Sequence, residues 1–148
     1  MRLLLQRVTR AEVRVGGVAV GGIGPGLVVL VGVGHGDTPD VAQALARKVV
    51  DLRIFRDEAG KTNRSLRDVG GGVLAVSQFT LYADTSGGRR PSFIGAGSPE
   101  LGAALYEAFA AAVEAEGTPV SRGVFGAEME VELVNDGPMT IWLDSAAR

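Results

Sequence analysis

An unbroken apolar run at residues 27–33 limits which folds this chain can adopt. The run contains no charged residue, and Gly32 is its only member outside valine and leucine. Such a run is typical of a central strand in a sheet that is covered on both faces. A membrane-spanning helix needs ~20 apolar residues, and this run is the longest apolar stretch in the chain. We therefore expect a soluble protein with no membrane partner.

Two segments carry the 3.6-residue period of amphipathic helices, and either could cover such a sheet. The first opens at Asp37 or Thr38 as a cap, continues through Pro39 and ends near Leu52. Its expected buried stripe is Val41, Ala44, Leu45, Lys48, Val49 and Leu52. The second opens at Ser98 and ends at Gly117. Its expected buried stripe is Leu101, Leu105, Ala108, Phe109, Ala112 and Val113.

Alternating apolar and polar residues predict the remaining strands. We expect strands at residues 2–8, 11–15, 18–23, 27–33, 73–76, 128–134 and 139–143. In the segment 128–134, Met129, Val131 and Leu133 are expected to face inward. Strands first, then strand–helix pairs, then strands again predict an α/β fold with a mixed sheet and two helices, in a single domain over residues 1–148.

The composition excludes several kinds of chemistry. The chain has no cysteine and one histidine, His35, so disulfides, cysteine-ligated zinc, iron–sulfur clusters and paired-histidine metal sites are excluded. The net charge is −2, and the chain lacks the overall basic character of most nucleic-acid binders. The segment from Met1 to Arg7 has too few apolar residues for a signal peptide, which indicates a cytoplasmic protein.

Glycine is abundant, at 22 residues, and the loop at 32–37 first suggests a phosphate-binding turn. The pattern GxGxxG would need glycine at position 37, where Asp37 stands, and GxxxxGK[ST] is absent. We therefore interpret this loop as a tight strand-to-helix turn. His35 lies in it with no second histidine or cysteine, which favours a surface or structural role.

Two polar segments remain as candidate sites. Ser77, Gln78 and Thr80 cluster at the end of a buried strand, where open α/β sheets bind ligands. A strand edge whose hydroxyls bond the backbone would give the same pattern. The second segment, 135–140, places Pro138 between two strands, where proline marks a bulge, an edge or a simple turn.

At these two segments the chain resembles the D-aminoacyl-tRNA deacylases. The similarity covers residues 1–145 with the order of elements preserved. The segments that carry it are Leu5-Gln6-Arg7-Val8-Thr9-Arg10-Ala11, Arg53-Ile54-Phe55, Ser77-Gln78-Phe79-Thr80-Leu81, Arg90-Pro91-Ser92-Phe93, Ser98-Pro99, Phe125-Gly126-Ala127-Glu128-Met129 and Asn135-Asp136-Gly137-Pro138-Met139-Thr140. Several motifs at the right separations are stronger evidence than any one alone.

The resemblance implies a fold with a barrel-like core and an enzyme that hydrolyses the ester between a D-amino acid and the 3′ end of tRNA. It implies a homodimer with active sites at the interface, in which a cis Gly137–Pro138 peptide enters from the neighbouring subunit and rejects L-amino acids. The expected partner is aminoacyl-tRNA. No cofactor, no metal and no DNA partner are expected.

The resemblance also assigns the site residues. Ser77, Gln78, Phe79 and Thr80 would line the pocket, with the backbone N–H groups near Phe79 and Thr80 facing the ester carbonyl. Gly137 and Pro138 would form the gate and hold the α-amino group with their carbonyls. Arg7 would brace the gate, and Phe125 would pack near the terminal adenine.

Thr80 is the one plausible side-chain nucleophile, but the sequence places no evident base beside it. The family suggests instead that the terminal 2′-hydroxyl of tRNA assists. Two other functions remain open from the sequence: a non-catalytic module that binds RNA ends, and a deacylase that edits mischarged L-alanine. Ser77 and Phe79 favour the D-specific type. Candidate contacts for the tRNA stem are Arg47, Lys48, Arg89 and Arg90.

Overall fold

The computed structural model of the chain describes residues 1–147. The elements in chain order are β1 Arg2–Val15, β2 Val18–Ile23, β3 Gly26–Gly32, α1 Pro39–Asp51, β4 Phe55–Arg56, β5 Thr62–Arg64, α2 Leu66–Val69, β6 Gly72–Ser77, a 3₁₀ turn Phe79–Tyr82, α3 Pro99–Ala115, β7 Val120–Arg122 and β8 Glu130–Asp144. No helix in this part of the chain is long and apolar enough to span a membrane.

Six strands form one mixed sheet in the order β2-β1-β3-β6-β7, and β8 pairs with β1. The β3–β6 and β6–β7 pairs are parallel, while β1 is antiparallel to β2, β3 and β8. The two ends of the order approach each other, since the Gly22 amide donates to the Ser121 hydroxyl over 2.9 Å. The sheet is therefore nearly closed, and the expected α/β fold with a barrel-like core is confirmed.

The core has two parts on opposite sides of this sheet. The larger part lies between the sheet and the helices, and includes the fully buried Val29, Val49 and Phe109. The smaller part lies inside the curved sheet, around Val13 and Leu74. The run at 27–33 contributes to both parts, as Val29 belongs to the larger and Val28 to the smaller, so the expectation of a strand covered on both faces is confirmed.

Both long helices lie where the sequence predicts them, but their buried faces are rotated from the expected stripes. In α1 the buried residues are Ala42, Leu45, Ala46, Val49 and Val50. Lys48 and Ala44 are exposed, because including the charged Lys48 in the stripe shifted its centre toward solvent. In α3 the stripe likewise moves to Leu105, Tyr106, Phe109, Ala110 and Val113.

The strands differ from expectation in three ways. The segments 2–8 and 11–15 form one continuous strand, β1, and β8 runs without a break through the Gly137–Pro138 segment. The sequence did not predict the short β4–β5 hairpin, α2 or β7. Val131 is exposed rather than inward, while Met129 and Leu133 pack against the smaller core as expected.

Candidate active site

A cavity of about 600 Å³ opens at the carboxyl ends of the parallel strands β3 and β6. Its floor is made by Ser77, the last residue of β6, and by Gln78 and Phe79, which follow it. The other walls come from two later segments, 93–102 and 125–131. The polar cluster that the sequence places at the end of a buried strand therefore does line a concave site, in the position where open α/β sheets bind ligands.

The 3₁₀ turn after β6 fixes the floor of this cavity. The Gln78 amide makes the last bond to β3, at 2.8 Å from the Val31 carbonyl oxygen. The turn then packs its Tyr82 ring against Gly34, so closely that a Cβ at position 34 would lie 2.6 Å from the ring. A side chain at position 34 would therefore have to displace the Tyr82 ring, which agrees with the interpretation of the glycine-rich loop as a tight turn.

The first amides of the 3₁₀ turn lack internal acceptors. In such a turn the N–H of the first two residues, here Phe79 and Thr80, has no carbonyl one turn earlier to bond. The preceding Gln78 makes no side-chain capping bond within the described residues. Unpaired backbone N–H groups beside a cavity are ready donors for an oxygen that gains negative charge.

The Thr80 side chain contacts a donor rather than a base. Its hydroxyl oxygen accepts a hydrogen bond from the Gln78 side-chain amide. Among residues 1–147, no carboxylate or imidazole hydrogen-bonds to this hydroxyl. An activated nucleophile needs a group that takes up its proton, so the arrangement is unsuited to a threonine nucleophile.

Aromatic rings form the rim of the cavity. Phe79 is 55% exposed and meets Phe93 edge-on, with ring centroids 5.1 Å apart. On the other side, Phe125 lies 6.3 Å from the ring of Tyr106. Tyr106 is buried and donates its hydroxyl to the Ala75 carbonyl over 2.8 Å, and burial raises its pKa to about 12, so the ring is a neutral support at physiological pH.

Among the described residues, none with an ionisable side chain lines the cavity. His35 lies outside it, exposed, with Nε2 2.7 Å from the Ile94 carbonyl oxygen. The described residues also contain no group of three or more acidic, histidine or cysteine side chains placed to hold a metal ion. The chemistry available at this site is therefore that of backbone dipoles, hydroxyls and amides.

Gly137 and Pro138 form a bulge in β8. The pairing with β1 jumps from Val8↔Asn135 to Gln6↔Thr140, so residues 136–139 face Arg7 alone. The Gly137–Pro138 peptide is cis, and Gly137 has a φ of +123°, in the region that favours glycine. Both residues are exposed.

The Arg7 side chain lies directly beneath this bulge. Arg7 is 3% exposed, and its Nη1 donates to the Ile54 carbonyl oxygen over 2.6 Å. A Cβ on Gly137 would lie 2.7 Å from Nη2 of Arg7. The guanidinium therefore supports the bulge from the core side, and no residue with a side chain fits at position 137 without displacing it.

The structure divides the expected site residues into two groups. Ser77, Gln78, Phe79 and Phe125 line the cavity, and Thr80 follows in the same turn. Gly137, Pro138 and Arg7 are together elsewhere and do not line the cavity of their own chain. Residues of the wall that sequence reasoning did not assign to the site include Phe93, Ala96 and Met129. An exposed aromatic in the polar stretch 83–97 was the available signal for Phe93.

Residues 4–144 of the chain match the family model described as D-Tyr-tRNA(Tyr) deacylase. The chain is 62% identical to the D-aminoacyl-tRNA deacylase of Paracoccus denitrificans over 148 residues, covering 100% of this chain and 99% of that protein. It is 60% identical to the D-aminoacyl-tRNA deacylase of Deinococcus radiodurans over 144 residues, covering 97% and 99% respectively.

Two solved structures share the fold. One, titled c-Myc DNA Unwinding Element Binding Protein, has a TM-score of 0.94 and 40% identity, covering 99% of this chain and 100% of that one. The other, titled as a probable eukaryotic D-amino acid tRNA deacylase, has a TM-score of 0.81 and 21% identity, covering 96% and 97%. The second likeness concerns the fold alone.

Proposed function

This chain belongs to the D-Tyr-tRNA(Tyr) deacylase family, and from that premise we propose that it hydrolyses the ester between a D-amino acid and the 3′ end of tRNA. The products are the free D-amino acid and tRNA. The observation that carries the proposal is a cavity lined, among the described residues, by no ionisable side chain, whose floor at Phe79 begins the uncapped 3₁₀ turn that presents the Phe79 and Thr80 amides.

These two amides are the proposed stabilisers of the transition state. Attack on the ester carbonyl turns its oxygen into an oxyanion, and donors held in place for that charge lower the barrier without moving. Ser77 and Gln78 complete the floor on which the ester lies. The aromatic rim offers apolar surfaces for the terminal adenosine, with Phe125 next to the adenine.

The base and the nucleophile come from outside the protein in this mechanism. Thr80 positions the substrate, since its hydroxyl is bonded to the Gln78 amide rather than to a proton acceptor. We assign assistance to the terminal 2′-hydroxyl of the tRNA, which lies next to the scissile ester in the substrate itself. Water then attacks the carbonyl, and the ester oxygen leaves with a proton as the 3′-hydroxyl.

Chiral selection is assigned to the Gly137–Pro138 bulge of a second copy of the chain. The bulge is exposed and separate from its own chain's cavity, so a homodimer that brings it to the partner's cavity would complete both sites. The backbone of Gly137 and Pro138 would hold the α-amino group and occupy the space that an L side chain needs. A backbone wall excludes by steric clash and cannot swing aside as a side chain can.

The tRNA acceptor stem is assigned to the unpaired cations near the rim. Arg89 and Arg90 form no ion pair within residues 1–147 and stand between Asp84 and Ser92, whose backbones bond each other at 2.8 and 2.9 Å. Phe93, which follows Ser92 in the chain, lines the cavity. Contacts of these arginines with phosphates are expected to weaken as salt rises.

The test is cleavage of three substrates: D-Tyr-tRNA, L-Tyr-tRNA and tRNA mischarged with L-alanine. Selective loss of the ester from D-Tyr-tRNA is the expected result. Cleavage mainly of the L-alanyl ester would identify an alanine-editing enzyme instead. Binding without cleavage of any of the three would leave a non-catalytic module for RNA ends.

A further inference from the structure

Asp136, the residue before the bulge glycine, lies between two arginines. Its Oδ2 is 3.2 Å from Nε of Arg7 and 3.0 Å from Nη1 of Arg56. Arg7 comes from β1 inside the fold, and Arg56 comes from the β4–β5 hairpin. One carboxylate thus connects the bulge to the core on one side and to the hairpin on the other.

Burial makes the inner contact the important one. The Arg7 side chain is 4% exposed, against 31% for Asp136 and 48% for Arg56. A buried guanidinium needs a counter-charge, and Asp136 is the only carboxylate within ion-pair distance of it in the described residues. The Nε atom of Arg7 has no hydrogen bond with acceptable geometry, so Asp136 holds Arg7 through charge.

The neighbouring Asn135 closes the base of the bulge. Its side-chain amide donates to the Arg7 carbonyl oxygen over 2.9 Å and to the Met139 carbonyl oxygen over 3.0 Å. The two ends of the bulge are therefore tied to each other and to β1. Asp136, which directly precedes Gly137, adds its two ion pairs to this anchoring of the bulge.

We propose that Asp136 is a positioning residue for chiral selection, acting through Arg7 and Arg56 to hold the Gly137–Pro138 backbone in the orientation that excludes an L side chain. This inference rests on the proposed deacylase function and on the role assigned to the bulge. In the proposed arrangement, Asp136 does not touch the substrate. A looser bulge admits L-aminoacyl esters, so the property that Asp136 controls is discrimination rather than binding.

The test measures kcat/KM for D-Tyr-tRNA and L-Tyr-tRNA and takes their ratio. D136N keeps the size of the side chain and removes its charge, and we expect the D-to-L ratio to fall at least about tenfold, mainly through faster L cleavage. R56Q leaves the Arg7–Asp136 pair intact and is expected to give a smaller fall. A variant with fewer folded molecules loses both activities equally, so the ratio reports positioning alone.

Glu132 provides a matched control on the same strand. It also lies between two arginines, Arg10 at 3.0 Å and Arg14 at 2.9 Å, but four residues before Asp136 in the chain. E132Q is expected to keep the wild-type ratio. If D136N fails to fold, the D-to-L ratio of kcat/KM measured for R56Q tests the role of Asp136 instead.

The outcomes separate this inference from the function it rests on. A wild-type enzyme without D preference overturns the proposed function. A selective wild type whose ratio falls in G137A but stays unchanged in D136N and R56Q overturns the role of Asp136 only. An equal fall in E132Q and D136N overturns it as well, because the effect would then be one of surface charge.

Discussion

At the scale of single residues, the Thr80 hydroxyl distinguishes two mechanisms: attack by a threonine nucleophile, and attack by water assisted by the terminal 2′-hydroxyl of the tRNA. The hydroxyl oxygen accepts a hydrogen bond from the Gln78 side-chain amide. This bond stabilises electron density on the oxygen and does not remove the hydroxyl proton. We expect T80V to retain single-turnover cleavage of D-Tyr-tRNA within about tenfold, since removing a true nucleophile costs orders of magnitude more. The matched measurement is a substrate ending in 2′-deoxyadenosine, on which the wild type is expected to be far slower.

The opposite pattern would restore Thr80 as the nucleophile. That pattern is a T80V variant that binds substrate without turnover, together with normal wild-type cleavage of the 2′-deoxy substrate. The hydrogen bond between the Gln78 side-chain amide and the Thr80 hydroxyl is exposed to solvent, so water can replace the lost threonine oxygen. The variant therefore tests the chemistry with little disturbance of the turn.

Individual site residues were predictable where a local motif named them. Ser77 and Gln78 stand out because polar groups at the end of a buried strand need partners. Phe93 and Ala96 were not assigned, because they reach the cavity through a loop whose path depends on tertiary contacts such as the edge-on packing of Phe93 on Phe79. The relation between Asp136, Arg7 and Arg56 joins three distant parts of the chain, and no spacing encodes it.

At the scale of elements, the length of a helix or strand determined whether the sequence pattern predicted it. The two long helices were predicted because their apolar period repeats over several turns, whereas α2 has four residues, Leu66–Val69, and contains less than two periods. The only sequence signal for α2 is the Ser65-to-Asp68 spacing of a capping box. The register of β1, which shifts at Val13/Arg14 and again near Val8, depends on partners on both of its edges.

The α2 capping box makes an element-scale prediction. Ser65 accepts a hydrogen bond from the Asp68 amide over 3.0 Å, and the Asp68 carboxylate accepts one from the Ser65 amide over 2.9 Å. Loss of such a cap costs about 1 kcal/mol, so S65A is expected to lower the free energy of unfolding by about that amount. Denaturant unfolding at neutral pH provides the measurement.

The same box gives that prediction a pH signature. The bonds from Ser65 hold the Asp68 pKa below its ordinary value, so the ionised carboxylate stabilises the folded state above that ordinary value. Its contribution disappears as the pH falls through the lowered pKa. S65A keeps the larger of the two contributions, the bond from the Ser65 backbone amide, so it is expected to reduce this acid dependence only in part. T38A, which removes the α1 cap at Val41 without a reciprocal carboxylate, should lower stability but keep the acid dependence.

For the whole molecule, the order of elements predicted the α/β architecture, whereas the closure of the sheet was implied only by the resemblance to the family. Strand and helix patterns indicate an α/β fold, yet the approach of β7 to β2 that nearly closes the sheet involves a three-residue strand without a readable period. The separation of the Gly137–Pro138 bulge from the cavity is likewise a property of the whole chain. We propose that one chain holds two half-sites, each completed by a second copy.

Mixing two variants tests whether the half-sites combine between subunits. A127W places a large ring in the cavity wall and should abolish cleavage, while G137A should lower the D-to-L ratio because its Cβ meets Arg7.

With A127W in excess after denaturation and refolding together, nearly every G137A chain pairs with an A127W chain. If the bulge acts between subunits, each remaining open cavity then receives an intact Gly137–Pro138 from its partner. The ratio should return to the wild-type value, whereas a bulge that acts within its own chain would leave it at the G137A value.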